Sequence, residues 1–184
     1  MNEEIKLSWK GKVYLSSSEL FVGRVLSKKN ENNEITVILE GKDLKKNESI
    51  LLNLNSSDKI EGNSISSIKG LNDIEINDII SVKNSKIRSV YRAKSNNNFI
   101  FATIRCNSNC LMCSQPPLDV DDTLENYLIW DYAIDLLKES PKHLTITGGE
   151  PTLLGERLVL LINKILEKFP DLLITILSNG RLLA

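Results

Sequence analysis

The three cysteines of this 184-residue chain lie close together, as Cys106, Cys110 and Cys113 in the spacing C-x3-C-x2-C. Deprotonated thiols are soft ligands, and groups of them bind iron–sulfur clusters, zinc or copper(I). A four-iron cluster is normally held by four cysteines. Three thiolates on one short loop would leave one iron with an open position, as catalytic metal sites do and closed structural sites do not.

Two other interpretations of the cysteines stay open at this point. A structural zinc site needs a fourth ligand, and the only histidine, His143, lies 30 residues after Cys113. A disulfide framework is disfavoured because the number of cysteines is odd and we find no secretory signal. The spacing therefore favours an open iron–sulfur site.

A second motif, Thr147-Gly148-Gly149-Glu150-Pro151, directly follows the apolar run 144–146. Two glycines at a strand end let a ligand approach the backbone closely. A carboxylate beside them can accept hydrogen bonds from an ammonium group. By itself this motif is more typical of a plain turn between a strand and a helix. Together with the cysteine motif, it indicates a ligand site.

The two motifs together resemble those of the radical S-adenosylmethionine (SAM) superfamily, over residues 99–184. The resemblance implies that the three cysteines hold a [4Fe-4S] cluster whose open iron is chelated by the methionine end of SAM. It implies that Gly148, Gly149 and Glu150 contact this methionine group. The residue before the third cysteine is commonly aromatic in the family and is Met112 here, whose backbone could still contact the adenine.

The same resemblance implies an enzyme that cleaves SAM reductively. The products would be methionine and a 5′-deoxyadenosyl radical, which takes a hydrogen atom from the substrate. The cofactors carry this chemistry, and the protein supplies placement and exclusion of solvent. No residue of this chain is assigned to the hydrogen transfer itself.

The sequence around the cysteines, RCNSNCLMCSQPP at 105–117, is similar to that of peptide maturases of the His-Xaa-Ser system. Val90-Tyr91-Arg92 and Asn98 also fit that group. This resemblance implies a ribosomally made precursor peptide as substrate, an electron donor such as a flavodoxin or ferredoxin, and a companion maturase. The alternatives are a radical SAM enzyme for another substrate and a truncated metal-binding remnant without turnover.

Charge and hydropathy argue against two classes of partner. The net charge of −1 and the pI of about 5.9 give no basic surface for nucleic acid. No apolar run approaches the roughly 20 residues of a membrane span, and the N-terminus MNEEIKLSW resembles neither a signal nor a transit peptide. We expect a cytoplasmic protein, in a compartment where thiols stay reduced.

A change in composition divides the chain. Fourteen of the nineteen asparagines lie at or before Asn98, whereas all five prolines follow it. We predict a small β-rich domain over 1–95 and a second domain over 96–184, with a polar linker at 95–98. In the first domain, apolar runs predict strands at 20–26, 50–54, 79–82 and 87–91. The partial alternation of Ile35, Val37 and Leu39 with polar residues predicts a half-buried strand at 35–39. We predict a hairpin turn at 30–33 and a polar loop at 56–67.

From residue 99 the pattern alternates between strands and helices. Apolar runs predict strands at 99–104, 144–147 and 172–177. A capping box of Asp122 and Glu125 predicts the start of one helix, which ends before Pro141. Its predicted apolar face consists of Leu124, Leu128, Ile129, Ala133, Leu136 and Leu137. A second apolar stripe predicts a helix over 158–169.

Three strand–helix units in a row predict a parallel sheet. Both motifs then lie at the carboxyl ends of strands, where such sheets place their sites. Ser178 and Asn179 follow the third strand at the same edge. They are candidates for the SAM pocket, or simply part of an Asn-Gly turn.

The predicted fold is α/β, the first half of a radical SAM partial (βα)6 barrel preceded by the small β-rich domain. At about 30 residues per unit, six strands would need on the order of 90 residues more. We therefore expect a chain truncated after the third strand, or a piece of a longer gene product.

Overall fold

The computed structural model describes residues 8–10, 12–14, 20–57, 62–84, 86–113 and 118–182, and in the first two ranges only the backbone. The chain divides into two compact units, Met1–Lys94 and Ser95–Ala184, one residue before the predicted boundary. The described residues form eleven strands and two α-helices. Eight strands belong to the first unit, and three strands with both helices belong to the second.

The first unit is built on one eight-stranded sheet, in which one of the described strand pairs is parallel and the others are antiparallel. Its strands are β1 (Ser8–Lys10), β2 (Lys12–Tyr14), β3 (Phe21–Glu31), β4 (Glu34–Asp43), β5 (Glu48–Asn55), β6 (Ser64–Ser66), β7 (Ile79–Lys83) and β8 (Lys86–Tyr91). They lie in the order β1-β8-β7-β3-β4-β5-β6-β2. The two end strands, β1 and β2, are separated in the chain by one residue. The first and last strands in the order of the sheet are therefore neighbours in the sequence.

A hairpin of β3 and β4 forms the middle of this sheet. Its turn lies within the predicted range 30–33, with Asn32 and Asn33 at φ 51° and 64°. Positive φ at both central residues is what a two-residue hairpin turn of type I′ requires, and asparagine tolerates it. The predicted loop at 56–67 is wrong in its last part, because Ser64–Ser66 forms β6. Only Ile65 in that strand is apolar, so no apolar run marked it.

The core of the first unit is aliphatic. Alternate residues of β4, namely Ile35, Val37 and Leu39, are buried, as the period of two predicts. They pack with buried side chains of β3, β5, β6, β7 and β8 and of a short 3₁₀ helix at Leu71–Asp73.

The second unit alternates strands and helices. Its elements are β9 (Asn98–Phe101), α1 (Thr123–Leu136), β10 (Leu144–Thr147), α2 (Glu156–Lys168) and β11 (Ile174–Ile176). Strand β10 pairs in parallel with β9 on one side and β11 on the other. Because the three strands run in the same direction, the segments that follow them all lie at one end of the sheet, where the strands have their carboxyl ends.

Strand β9 begins and ends earlier than predicted. Asn98, assigned to the linker, is its buried first residue. The strand ends at Phe101, and residues 102–105 continue the backbone hydrogen bonding with Thr147, the last residue of β10, and with the loop that follows it.

The two helices differ in how well the sequence predicts their buried faces. Helix α1 buries Trp130 and Ile134 beside Ala133, whereas Leu124 of the predicted face is 52% exposed. Apolar residues occur on all sides of α1, so periodicity does not select a face. Helix α2 buries three residues of its predicted stripe, Leu158, Leu161 and Ile165. Among the described residues, neither helix has the length and apolarity needed to cross a bilayer.

Candidate functional site

The cysteine loop follows β9 and carries three cysteines that form no disulfide. Cys106 is half-buried, whereas Cys110 and Cys113 are exposed. A backbone hydrogen bond of 3.1 Å from Cys113 N to Cys110 O closes the turn between the last two. All three cysteines line one cavity of about 240 Å³, together with Ile104, Ser108, Met112, Gly148, Gly149 and Asn179. Two of the predicted motifs therefore meet at this cavity.

Backbone hydrogen bonds join the segment before Cys106 to the loop after β10. Ala102 N donates to the Thr147 carbonyl at 2.8 Å, and Gly149 N donates to the Thr103 carbonyl at 2.6 Å. Glu150 N donates to the Arg105 carbonyl at 2.9 Å. Pairing thus continues past the end of the sheet, and it fixes the chain up to the first cysteine.

The two glycines are needed for this close approach. A Cβ on Gly148 would lie 2.5 Å from the Thr103 carbonyl oxygen, and its φ of 132° is itself unusual for any other residue. A Cβ on Gly149 would lie 2.1 Å from the Arg105 carbonyl oxygen. The space that a Cβ would occupy at each glycine is therefore taken by the backbone of residues 102–105. The sequence-based reason for these glycines, approach of a ligand, is therefore not their only role.

We expect Gly149→Ala to displace the segment that precedes Cys106. Overpacking against a fixed backbone typically costs roughly 1–3 kcal/mol of unfolding free energy, and here a backbone carbonyl would have to move. Urea unfolding measures this loss. The matched control is Gly180→Ala, where nothing lies within 4 Å of the added Cβ and only the φ of 74° opposes it. A smaller loss for Gly149→Ala than for Gly180→Ala would contradict the steric argument.

A carboxylate from the start of α1 also holds the entry to the cysteine loop. Asp122 accepts hydrogen bonds from the Thr103 hydroxyl and, at 3.1 Å, from Ile104 N. The predicted capping box is wrong, because the Asp122 side chain makes no cap hydrogen bond. Asp121 instead accepts from Thr123 N at 3.1 Å. Asp122 therefore joins the helix to the cysteine loop.

The segment after β11 contacts the same loop from the other side. Asn179 Nδ2 lies 2.8 Å from Asn107 Oδ1 and 3.9 Å from Cys106 Sγ. Arg181 Nη1 donates to the Asn107 carbonyl at 2.9 Å. The structure thus places Asn179 at the cavity, whereas Ser178 lies beside it and contacts Glu150.

The Glu150 carboxylate is fully buried and does not line the cavity. One oxygen accepts from Thr152 N at 3.0 Å, the Thr152 hydroxyl at 2.6 Å and the Ser178 hydroxyl at 2.8 Å. The other accepts from Asn179 N at 2.8 Å. Burial by itself raises the pKa of Glu150, but the hydrogen bonds from Thr152, Asn179 and Ser178 outweigh it and hold the pKa below its usual value. Protein donors thus contact both carboxylate oxygens, and the contact of Glu150 with a ligand ammonium stays a prediction.

Met112 and His143 are placed differently. Met112 is 93% exposed and lies at the rim of the cavity. His143 precedes β10, at the opposite edge of the sheet from the cysteine loop, and its Nε2 lies 2.9 Å from the Thr175 hydroxyl. This position does not support His143 as a fourth zinc ligand. Among the described residues, no three His, Cys, Asp or Glu side chains converge on one metal ion.

Thr103, Asp122 and Arg181 were not predicted from the sequence as parts of the site. Residues 114–117, which carry part of the resemblance to peptide maturases, lie outside the described residues. No protein-family model, curated protein or solved structure matches this chain.

Proposed function

We propose that this chain is a radical SAM enzyme of the cytoplasm. In this proposal Cys106, Cys110 and Cys113 bind a [4Fe-4S] cluster, and the loop at Gly148 and Gly149 contributes to SAM binding. The observation that carries the proposal is the shared cavity, which the three cysteines and both glycines line. The parallel order β9-β10-β11 is compatible with the first half of a (βα)6 barrel, which we propose as the fold of the second unit.

The donor set fits such a cluster better than it fits a single ion. Three thiolates bound to a four-iron cluster ligate three different irons, so their sulfurs need not converge on one point. The absence of a convergent ligand group among the described residues is therefore compatible with this assignment. The exposure of Cys110 and Cys113 leaves them accessible to an incoming cluster.

The chemistry that a bound cluster would supply is one electron to SAM, whose C–S bond then breaks to give methionine and a 5′-deoxyadenosyl radical. The protein's part is to place its ligands. Backbone pairing with the loop after β10 fixes the residue before Cys106, and Asp122 fixes Thr103. Glu150 acts as a positioning residue, because its hydrogen bonds hold Ser178 and Asn179 at the edge of the site.

For the substrate we propose a His-Xaa-Ser repeat peptide. The support for this finer statement is the sequence around the cysteines and before β9, not the geometry of the cavity. A radical SAM enzyme with another substrate would use the same cluster and cofactor site.

Anaerobic reconstitution of the full chain with iron and sulfide tests the proposal. We expect roughly four irons and four sulfides per chain and broad visible absorption. Addition of SAM and a strong reductant should then release methionine and 5′-deoxyadenosine. A bound cluster without SAM cleavage would favour a metal-binding remnant. Tight binding of one zinc ion without labile sulfide would overturn the cluster assignment itself.

A further inference from the structure

We propose that Asn179 is a positioning residue that donates a hydrogen bond to the Cys106 thiolate and thereby raises the reduction potential of the cluster. This inference rests on the proposed function and extends it to a residue outside the ligand set. It assigns Asn179 to the sulfur environment of the cluster.

The Asn179 side chain reaches three acceptors of the cysteine loop. Its Nδ2 lies 2.8 Å from Asn107 Oδ1, 3.2 Å from Ser108 Oγ and 3.9 Å from Cys106 Sγ. An amide nitrogen carries two hydrogens, so the three acceptors compete for them. A thiolate bound to iron carries negative charge, and charge-assisted hydrogen bonds are the stronger ones. The ligated Cys106 sulfur is then the acceptor that gains most from this donor.

The orientation of the Asn179 amide is fixed from both ends. Its Oδ1 accepts from Arg181 N at 3.0 Å, which directs Nδ2 towards the loop. Its backbone N donates to the buried carboxylate of Glu150 at 2.8 Å. Arg181 also reaches the Asn107 carbonyl at 2.9 Å, so the same short segment holds the loop by a second contact. An exposed amide held in this way is oriented before any cluster binds.

Hydrogen bonds to cluster sulfurs are one of the means by which proteins set cluster potentials. A donor stabilises the reduced cluster more than the oxidised one, because the reduced cluster carries more negative charge. Loss of the donor should therefore lower the potential. Partners of this kind also orient the ligands, and their loss typically costs about 10–100-fold in metal affinity.

The variant Asn179→Asp tests the inference on the reconstituted full chain, since it keeps the shape and replaces the amide NH₂ group by a carboxylate oxygen, which cannot donate a hydrogen bond. We expect the ratio of reduced to oxidised cluster at a fixed potential to fall about tenfold. For a one-electron couple this corresponds to a reduction potential about 59 mV lower. We also expect bound iron to pass to a chelator about 10–100-fold more readily.

Two further variants separate tuning of the potential from loss of folding. Asn97→Asp makes the same chemical change at an exposed residue before β9, at the opposite edge of the sheet, and should change neither value. Arg181→Ala removes the contact with the Asn107 carbonyl, so iron should be lost faster while the potential changes less than in Asn179→Asp. If the wild type takes up no cluster, the proposed function fails and this inference fails with it. If the wild type takes up the cluster and Asn179→Asp matches Asn97→Asp in both values, the inference alone is overturned.

Discussion

Replacing Cys106, Cys110 or Cys113 by alanine is expected to abolish cluster binding altogether. In the proposed cluster each thiolate would bind a different iron, so the two remaining thiolates would leave two irons of four without a protein ligand. Bound iron should fall from roughly four per chain to a small fraction of that amount, and the broad visible absorption should disappear with it. Iron and sulfide analysis after anaerobic reconstitution measures this effect, which we expect to be the largest of any substitution in the chain.

The same loop provides the control for the cysteine variants. Asn109→Ala changes an exposed residue between the first two cysteines and leaves all three thiols in place. It should therefore keep the full complement of iron and sulfide. Cysteine variants that retain a wild-type complement would exclude these residues as ligands. Loss of the cluster from Asn109→Ala as well would indicate that loop folding, rather than ligation, is being measured.

The alternation of strands and helices after residue 99 could be predicted because the signals are local. Strands β10 and β11 lie within short apolar runs. In the structure the residues of β10 are mostly buried, whereas those of β11 are half-buried or exposed. Helix α2 has a single apolar stripe, and its buried residues belong to it. Helix α1 has apolar residues all round, so its buried face is decided by packing against α2 rather than by its own period.

Some features of the site could likewise be predicted from short motifs, whereas others depend on contacts between residues far apart in the sequence. The cysteine spacing and the two glycines are short motifs, and the parallel sheet explains why they meet at one edge. The contacts of Asp122 with Thr103 and of Arg181 with Asn107 join residues 19 and 74 positions apart. Charged residues in loops carry no periodic pattern, so nothing in the sequence indicated these pairs.

The direction of the Glu150 side chain is a further property that the motif does not contain. A glutamate after two glycines can turn towards a ligand or back into the protein. Here Thr152 and Ser178 supply donors on the protein side, and the carboxylate is buried against them. A positioning role for Glu150 follows, and it has a measurable consequence for stability.

Glu150→Gln is expected to lower the unfolding free energy by roughly 1.5–3 kcal/mol at neutral pH, the usual value of a single hydrogen bond to a charged group. A glutamine amide keeps one acceptor oxygen, but its NH₂ group would face a donor, either the backbone N of Asn179 or the groups of Thr152. A buried donor without an acceptor costs free energy. The segment that carries Asn179 would then be held less firmly. Urea unfolding of the wild type and the variant at pH 7 measures the difference.

The dependence of this difference on pH identifies the ionised carboxylate as its cause. The pKa of Glu150 is lower in the folded protein than its usual value, because the hydrogen bonds outweigh the effect of burial. Its contribution is therefore fully present above the unfolded-state pKa and is lost as the pH falls through the folded-state pKa. The wild type should lose its advantage over Glu150→Gln as the pH is lowered through this range. Glu139→Gln, the same change at an exposed residue of the same unit, should alter stability by less than about 0.5 kcal/mol. A difference for Glu150→Gln that stays constant down to acid pH would show that shape, and not the charge of the carboxylate, holds the loop after β11.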